Sequence, residues 1–261
     1  MYTVNMLDVN TFESNNFFIQ RLIKLLQNSK DIYIFEEGKN ASACTTLPND
    51  EQALTPATNP PSISLPSNDQ LIAIKAIKKV ALGHRNRPLV IQANRGRGKS
   101  SALGIAAADI FIEKQLKTVI TAPSKKTCEA AFRHYKARIE SIPGSQSEKD
   151  KALSGLEFIP IDYILSHDID CHLLLIDEAA AIPTSTLQSL LGRFSRVVYS
   201  TTIHGYEGNG QGFAVRFKQT LDTHYSQWYS VALNQPIRWL ENDNLEPWFF
   251  RFLLLDSHLV S

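Results

Sequence analysis

The segment Ala93-Asn-Arg-Gly-Arg-Gly-Lys-Ser100 constrains the fold of this chain more than any other, because of what flanks it. Leu89-Val-Ile-Gln-Ala93 runs in as a short apolar block, the length and composition of a buried strand, and Lys99 to Glu113 runs out as an alanine-rich helix. Strand, glycine-rich turn and helix is the phosphate-loop arrangement, here with Ala rather than Gly at the first position of the template. Small residues let backbone N–H groups curl around a phosphate at a helix N-terminus, where the dipole favours negative charge. Lys99 is then placed to reach β and γ phosphates, and Ser100 to offer its hydroxyl to Mg²⁺. The plainer alternative, an ordinary strand–turn–helix, explains neither the paired glycines nor the Lys-Ser that follows them.

The same alternation continues downstream. Ser67-Asn-Asp-Gln70 has the form of a capping box before a helix with Leu71, Ile74, Ile77 and Ala81 on one face. Thr118 to Ala122 reads as a strand followed by a basic helix over Ser124–Ile139, and Ser141 to Ser154 as a mobile surface loop. Further strands are expected at Phe158–Ile161, His172–Ile176 and Val197–Ser200. Apolar strands alternating with helices predict an α/β protein with a mainly parallel sheet and helices on both faces. Ahead of this region, a helix is expected over Asn16–Leu26 and a short strand over Asp31–Phe35. Glu37 to Ser67 then carries Pro48, Pro56, Pro60, Pro61 and Pro66, which block regular structure and mark a linker. The expected organisation is an N-terminal remnant and linker over 1–66 and one domain over 67–261.

A second chemical signal is independent of the first. Leu173-Leu-Leu-Ile-Asp177-Glu178 is a buried strand ending in two carboxylates. Asp177 is suited to hold Mg²⁺, and Glu178 to orient and deprotonate an attacking water, which favours hydrolysis over kinase-type transfer. An acidic strand end that only caps a turn is the alternative, and it loses weight downstream of a phosphate loop. Other candidates keep two readings each. Gln70 either reads an adenine edge or closes the capping box, and Ser124 either touches a nucleic-acid backbone or caps a helix. A hydroxyl of Ser200-Thr-Thr202 either senses a γ phosphate or merely ends a strand. Arg238, in Pro236-Ile-Arg-Trp239, either faces phosphate or stacks on Trp239. Lys125, Lys126, Arg133, Lys136 and Arg138 form a local cluster of cations, an RNA-facing patch or a solvated face.

Composition narrows the class. With 27 Lys plus Arg against 26 Asp plus Glu, the chain is not a polycation, and 43% hydrophobic residues suffice for a real core. Cys44, Cys128 and Cys171 are too scattered for a disulfide framework or a zinc site, which suggests a reducing compartment. No apolar run approaches the length of a membrane span, and Met1 to Asn10 does not resemble a secretory leader. A cytoplasmic protein without a membrane partner is expected.

Leu175-Ile-Asp-Glu-Ala-Ala-Ala-Ile-Pro183, the Arg-Gly-Arg-Gly-Lys-Ser loop and Ser200-Thr-Thr-Ile-His-Gly-Tyr-Glu-Gly-Asn-Gly-Gln-Gly-Phe213 together resemble the bacterial tRNA-Met cytidine acetyltransferase family, and Pro-Ile-Arg-Trp agrees. The resemblance runs from about Ser67 to the C-terminal end. It implies the RNA-helicase-like, RecA-like ATPase module of an enzyme that uses ATP and acetyl-CoA to acetylate the wobble cytidine of elongator tRNA-Met. It implies that Gly96, Arg97, Gly98, Lys99, Ser100 and Ser101 hold the ATP phosphates, that Gln70 is the base-side contact, and that Arg238 reaches the nucleotide from the far side. The family's glycine-rich loop carries Thr and Arg where this chain has Asn209 and Gln211. No acetyltransferase domain or acetyl-CoA loop is recognisable, so acetyl-CoA is expected only on full-length members, and an acetyltransferase domain on another chain is a candidate partner.

Competing readings therefore remain: an ATPase with Glu178, Lys99 and Arg238 as its catalytic groups and Ser100 and Asp177 as its Mg²⁺ ligands, coupled to tRNA handling; or a nucleotide-dependent binding or regulatory module with little turnover, or a degenerate fragment of the full enzyme. A general helicase would need roughly another domain's length for a second RecA-like domain.

Overall fold

A computed structural model describes residues 17–28, 65–203, 209–225, 227–237 and 245–254, with backbone alone for Gln27 and residues 209–216. In chain order its first elements are α1 (Phe17–Asn28), α2 (Asn68–Leu82), β1 (Leu89–Ala93), α3 (Lys99–Lys114), β2 (Thr118–Thr121), α4 (Glu129–Glu140), α5 (Gln146–Leu153) and β3 (Leu156–Phe158). There follow α6 (Ile161–Ser166), β4 (Leu173–Ile176), α7 (Thr184–Arg193), β5 (Val197–Thr202), α8 (Asn209–His224), β6 (Tyr229–Leu233) and α9 (Leu245–Phe252).

The chain divides into two units, Asn59–Glu241 and a smaller one combining Met1–Thr58 with Asn242–Ser261. The final segment thus groups with the N-terminal residues, whereas the sequence reading placed 67–261 together. In the smaller unit the Phe18 and Phe252 rings meet at 4.7 Å, and Arg21 donates to the Phe252 and Arg251 carbonyl oxygens at 3.2 and 2.8 Å. A guanidinium bonding carbonyls at the end of α9 satisfies acceptors that the helix itself leaves open.

The larger unit is built on a six-stranded sheet of order β3-β2-β4-β5-β1-β6, and every pair in it is parallel. Alternate residues of β1, β2, β4 and β5 enter separate cores on the two faces of the sheet. Leu89, Ile91, Leu173, Leu175 and Val198 pack with α2, α3 and α4 through Ile77, Leu103, Ala106 and Tyr135. Val90, Leu174, Ile176, Val197 and Tyr199 pack with α6, α7 and α8 through Ile164, Leu187, Leu190 and Phe217. Burial on both faces is why these strands read as unbroken apolar runs. The close pairing of α3 with α4 depends on Gly104, because a Cβ there would lie 2.0 Å from the Ala131 carbonyl oxygen. Since the strands are parallel, β1, β4 and β5 all end at the same edge, which brings the two chemical motifs together.

Three local expectations are corrected. The basic segment is not one helix: Lys125–Cys128 forms a 3₁₀ turn that buries Cys128, and α4 starts only at Glu129. Ser141–Ser154 is not a loop throughout. Ser145 and Glu148 form a reciprocal capping box for α5, and Tyr135 donates to the Ala152 carbonyl oxygen at 2.7 Å. Phe158–Ile161 is displaced, since β3 spans Leu156–Phe158 and Pro160 already precedes α6, where its fixed φ suits a helix start. The strand expected at Asp31–Phe35 and most of the Pro-rich linker lie outside the described residues. Among the described residues, no helix is long and apolar enough to cross a membrane.

Candidate nucleotide site

β1 runs into a loop whose glycines have positive φ, 80° at Gly96 and 78° at Gly98, a backbone region costly for residues with a Cβ. Gly98 is doubly constrained, because a Cβ there would also lie 2.2 Å from Gln70 Nε2 and 2.7 Å from Ile237 Cδ1. It occupies the N-cap of α3 and supplies no side-chain cap. The first N–H groups of α3 therefore have no side-chain acceptor at that position, as an anion site requires.

Lys99, Ser100 and Ser101 open α3. Lys99 is buried, and its Nζ donates to Thr202 Oγ1 at 2.8 Å and lies 3.7 Å from Glu178 Oε1. Ser100 Oγ donates to Asp177 Oδ2 at 2.6 Å. Ser101 is buried in the helix interior, and Arg97 is buried with Nη1 on the Arg95 carbonyl oxygen at 3.3 Å. Asp177 is fully buried at the end of β4. Burial pushes its carboxyl above the ordinary range; the Ser100 hydroxyl opposes this, Glu178 adds to it, and Lys99 and Ser200 oppose it. A desolvated carboxylate touching a serine hydroxyl offers the hard oxygen donors that Mg²⁺ takes, so these residues fit that ion.

Glu178 has φ 50° and ψ 48°, the left-handed conformation, and its N–H donates to Asp177 Oδ1 at 3.1 Å. Such a conformation costs a non-glycine residue on the order of 1–3 kcal/mol and persists only where its surroundings hold it. The turn sends Asp177 and Glu178 in different directions, one inward to Ser100 and the other to Thr202. The Thr202 hydroxyl lies 3.0 and 2.9 Å from the two Glu178 carboxylate oxygens. Its single proton goes to Glu178 while its lone pairs accept from Lys99. Thr202 was only one of three hydroxyl candidates in sequence, and the pairing of β4 with β5 is what singles it out.

Of the two readings open to Gln70, the structure shows the capping box, and it adds a bond to the phosphate loop. Its Oε1 accepts from Ser67 N–H at 2.9 Å to close the capping box, and its Nε2 donates to the Gly98 carbonyl oxygen at 3.1 Å. On the other side of the loop, Ile237 N–H donates to the Gly96 carbonyl oxygen at 3.1 Å. Arg238 lies outside the described residues, as do Trp239 and residues 204–208 of the glycine-rich loop. Ser124 stands at the N-cap of the 3₁₀ turn without bonding a backbone N–H there, and its hydroxyl meets that of Thr127 at 3.0 Å. All five cations of the basic segment are exposed; Lys136 pairs with Glu140 at 3.7 Å and Arg138 with Asp109 at 2.8 Å. Because the 3₁₀ turn breaks the helical register, the seven-residue spacing no longer places Lys126 on one face with Arg133 and Lys136.

The parallel sheet with its glycine loop at the carboxyl edge, and the Lys99–Ser100–Asp177–Glu178 cluster there, define a P-loop protein of the RecA-like class. The large terminase of a thermophilic bacteriophage has the same fold, with a TM-score of 0.51 over 72% of this chain and 50% of that one at 10% identity. Residues 90–256 match the family described as RNA cytidine acetyltransferase NAT10/TcmA, helicase domain, and the chain belongs to that family. It is 40% identical over 248 residues to the tRNA(Met) cytidine acetyltransferase TmcA of Nitrosococcus halophilus, covering 92% of this chain and 32% of the relative. It is 43% identical over 191 residues to TmcA of Vibrio cholerae, covering 73% of this chain and 27% of that protein. The chain thus spans about a third or less of the length of these relatives.

Proposed function

We propose that this chain binds and hydrolyses ATP as the helicase-like module of a tRNA(Met) wobble-cytidine acetylation system, coupling hydrolysis to tRNA handling. The observation that carries the reading is the meeting of Lys99, Ser100, Asp177, Glu178 and Thr202 at one sheet edge. These are the groups that phosphoryl transfer to water needs, and they come from three separate strand ends.

In this reading the loop from Gly96 to Ser101 holds the phosphates through backbone N–H groups, and Lys99 neutralises charge at the β and γ positions. Ser100 and Asp177 would hold Mg²⁺, which supplies Lewis-acid stabilisation of phosphate charge when bound. Glu178 orients a water and accepts its proton. Thr202 holds the Glu178 carboxylate and, through Lys99, links the base to the phosphate-binding lysine. Gln70 steadies the loop through Gly98 and stands as the base-side contact, and Arg238 is the proposed far-side arginine. The tRNA substrate named for the relatives is the proposed partner, met by the exposed cations Lys125, Lys126 and Arg133. Acetyl-CoA chemistry is assigned to the part of the full-length family outside this match. ATP turnover measured with and without elongator tRNA(Met) tests the reading: turnover stimulated by tRNA supports it, and ATP binding without turnover under either condition rejects the hydrolase assignment.

A further inference from the structure

Asp69 lies inside the capping-box segment Ser67–Gln70 but takes no part in the box, which Ser67 and Gln70 close. It lies in the first turn of α2, where an acidic residue is ordinarily explained by the helix dipole alone. Here its carboxylate does something more specific. Oδ2 accepts from the backbone N–H groups of Asn234 at 2.7 Å and of Gln235 at 2.9 Å, residues more than 160 positions away. The strap Asn234–Ile237 that it grips leaves the sheet after Leu233, which is buried, but is itself exposed at Asn234, Gln235 and Ile237. No buried side chain of its own anchors the strap; backbone hydrogen bonds at its two ends hold it. One end is on Asp69, and the other is Ile237 N–H on the Gly96 carbonyl oxygen.

That second bond acts on the phosphate loop. In a trans peptide the C=O of one residue and the N–H of the next point in opposite directions. Pinning the Gly96 carbonyl to the strap therefore turns the Arg97 N–H away from the strap. The same holds one step on, where Gln70 binds the Gly98 carbonyl and fixes the direction of the Lys99 N–H. The consecutive residues Asp69 and Gln70 thus set two peptide orientations in the loop, Gln70 directly and Asp69 through the strap.

We infer that Asp69 is a positioning residue of the nucleotide site: by holding the strap Asn234–Ile237 it fixes the Ile237–Gly96 hydrogen bond, and with it the orientation in which the phosphate loop presents the Arg97 N–H to a nucleoside triphosphate. This rests on the proposed nucleotide reading and adds to it a residue that touches neither phosphate nor base. Two independent readouts test it on the full chain. In hydrogen exchange without nucleotide, Asp69→Ala should remove protection from the Ile237 amide while β1 amides such as Ile91 keep theirs. In titration with a fluorescent N-methylanthraniloyl ATP, Asp69→Ala should raise Kd about tenfold, the worth of one charge-assisted hydrogen bond. Asp69→Asn, which keeps an acceptor oxygen, should recover most of that loss, and it carries the same two measurements should the alanine variant not fold. Combining Asp69→Ala with Ile237→Pro, which deletes the N–H, should weaken binding no further than Ile237→Pro alone. Unchanged Ile237 exchange, or additive losses in the double variant, would overturn the inference. If the wild type binds no ATP analogue, the nucleotide reading falls by that result, and the exchange data still show separately whether Asp69 holds the strap.

Discussion

Ser100 donates its hydroxyl proton to Asp177 at 2.6 Å, although 77 residues separate them in the chain. One residue opens the helix after β1 and the other closes β4, and β5 lies between those strands. The contact is therefore a consequence of strand order, and it joins the phosphate loop to the carboxylate pair.

Replacing Lys99 by Ala should abolish measurable turnover and weaken ATP binding, because the β/γ charge loses its fixed counter-ion. A loss of about 10²-fold or more in kcat/KM is expected for a transition-state donor of this kind. The fold should survive, since no core packing depends on the ammonium. Binding by fluorescence titration and turnover by phosphate release check both parts; a variant with wild-type kcat/KM would remove Lys99 from the site.

Thr202→Val keeps the shape of the side chain but removes both the proton given to Glu178 and the acceptor offered to Lys99. A lower kcat with little change in KM is expected, because ground-state phosphate contacts remain while the base loses its orientation. A change confined to KM would show that Thr202 serves binding alone.

Asp177 predicts a conflict between stability and chemistry. Burial raises its folded-state pKa above the unfolded value, so its contribution to stability is fully present below the unfolded pKa and is lost as pH rises through the folded pKa. Desolvation disfavours the ionised carboxylate, so Asp177→Asn should raise the Tm of the nucleotide-free protein by roughly 2–8 °C, equivalent to about 1–2 kcal/mol at this size. The gain should shrink on acidification, as the wild-type carboxyl also becomes neutral. The same variant should lose Mg²⁺-dependent turnover. Thermal melts across pH check the sign; a gain that grows toward low pH would contradict it.

The elements with strong chemical or periodic signatures were legible in the sequence. The phosphate loop, the Ser67–Gln70 capping box and the apolar strands β1, β2, β4 and β5 form within a few residues of their expected bounds. What was not legible depends on pairing between distant segments. The Thr202–Glu178 hydrogen bonds follow from the β4–β5 register together with the left-handed turn at Glu178. The grip of Asp69 on the strap needs α2 beside the end of β6, and nothing in a capping-box pattern announces it. α5 was missed because it has no apolar stripe and buries no residue fully, leaving Ser145 and Glu148 as its local signal.

Binding of tRNA should depend on Lys126 and Arg133 more than on Lys136, which already pairs with Glu140. Each neutralised phosphate contact should lower the slope of log K against log salt by about one. Titration of labelled tRNA at two salt concentrations, comparing wild type with Lys126→Ala/Arg133→Ala, measures this directly. Superimposable and salt-insensitive curves would make the segment a solvated face.

Single-turnover hydrolysis of γ-labelled ATP by wild type and Glu178→Gln tests the central claim most directly. The account predicts that wild type releases labelled phosphate, whereas Glu178→Gln binds ATP with nearly unchanged affinity and leaves it uncleaved, slowed about 10²–10⁴-fold by loss of the base. Equal cleavage by both proteins, or equal loss of ATP binding in the variant, would contradict the assignment of Glu178 as the base.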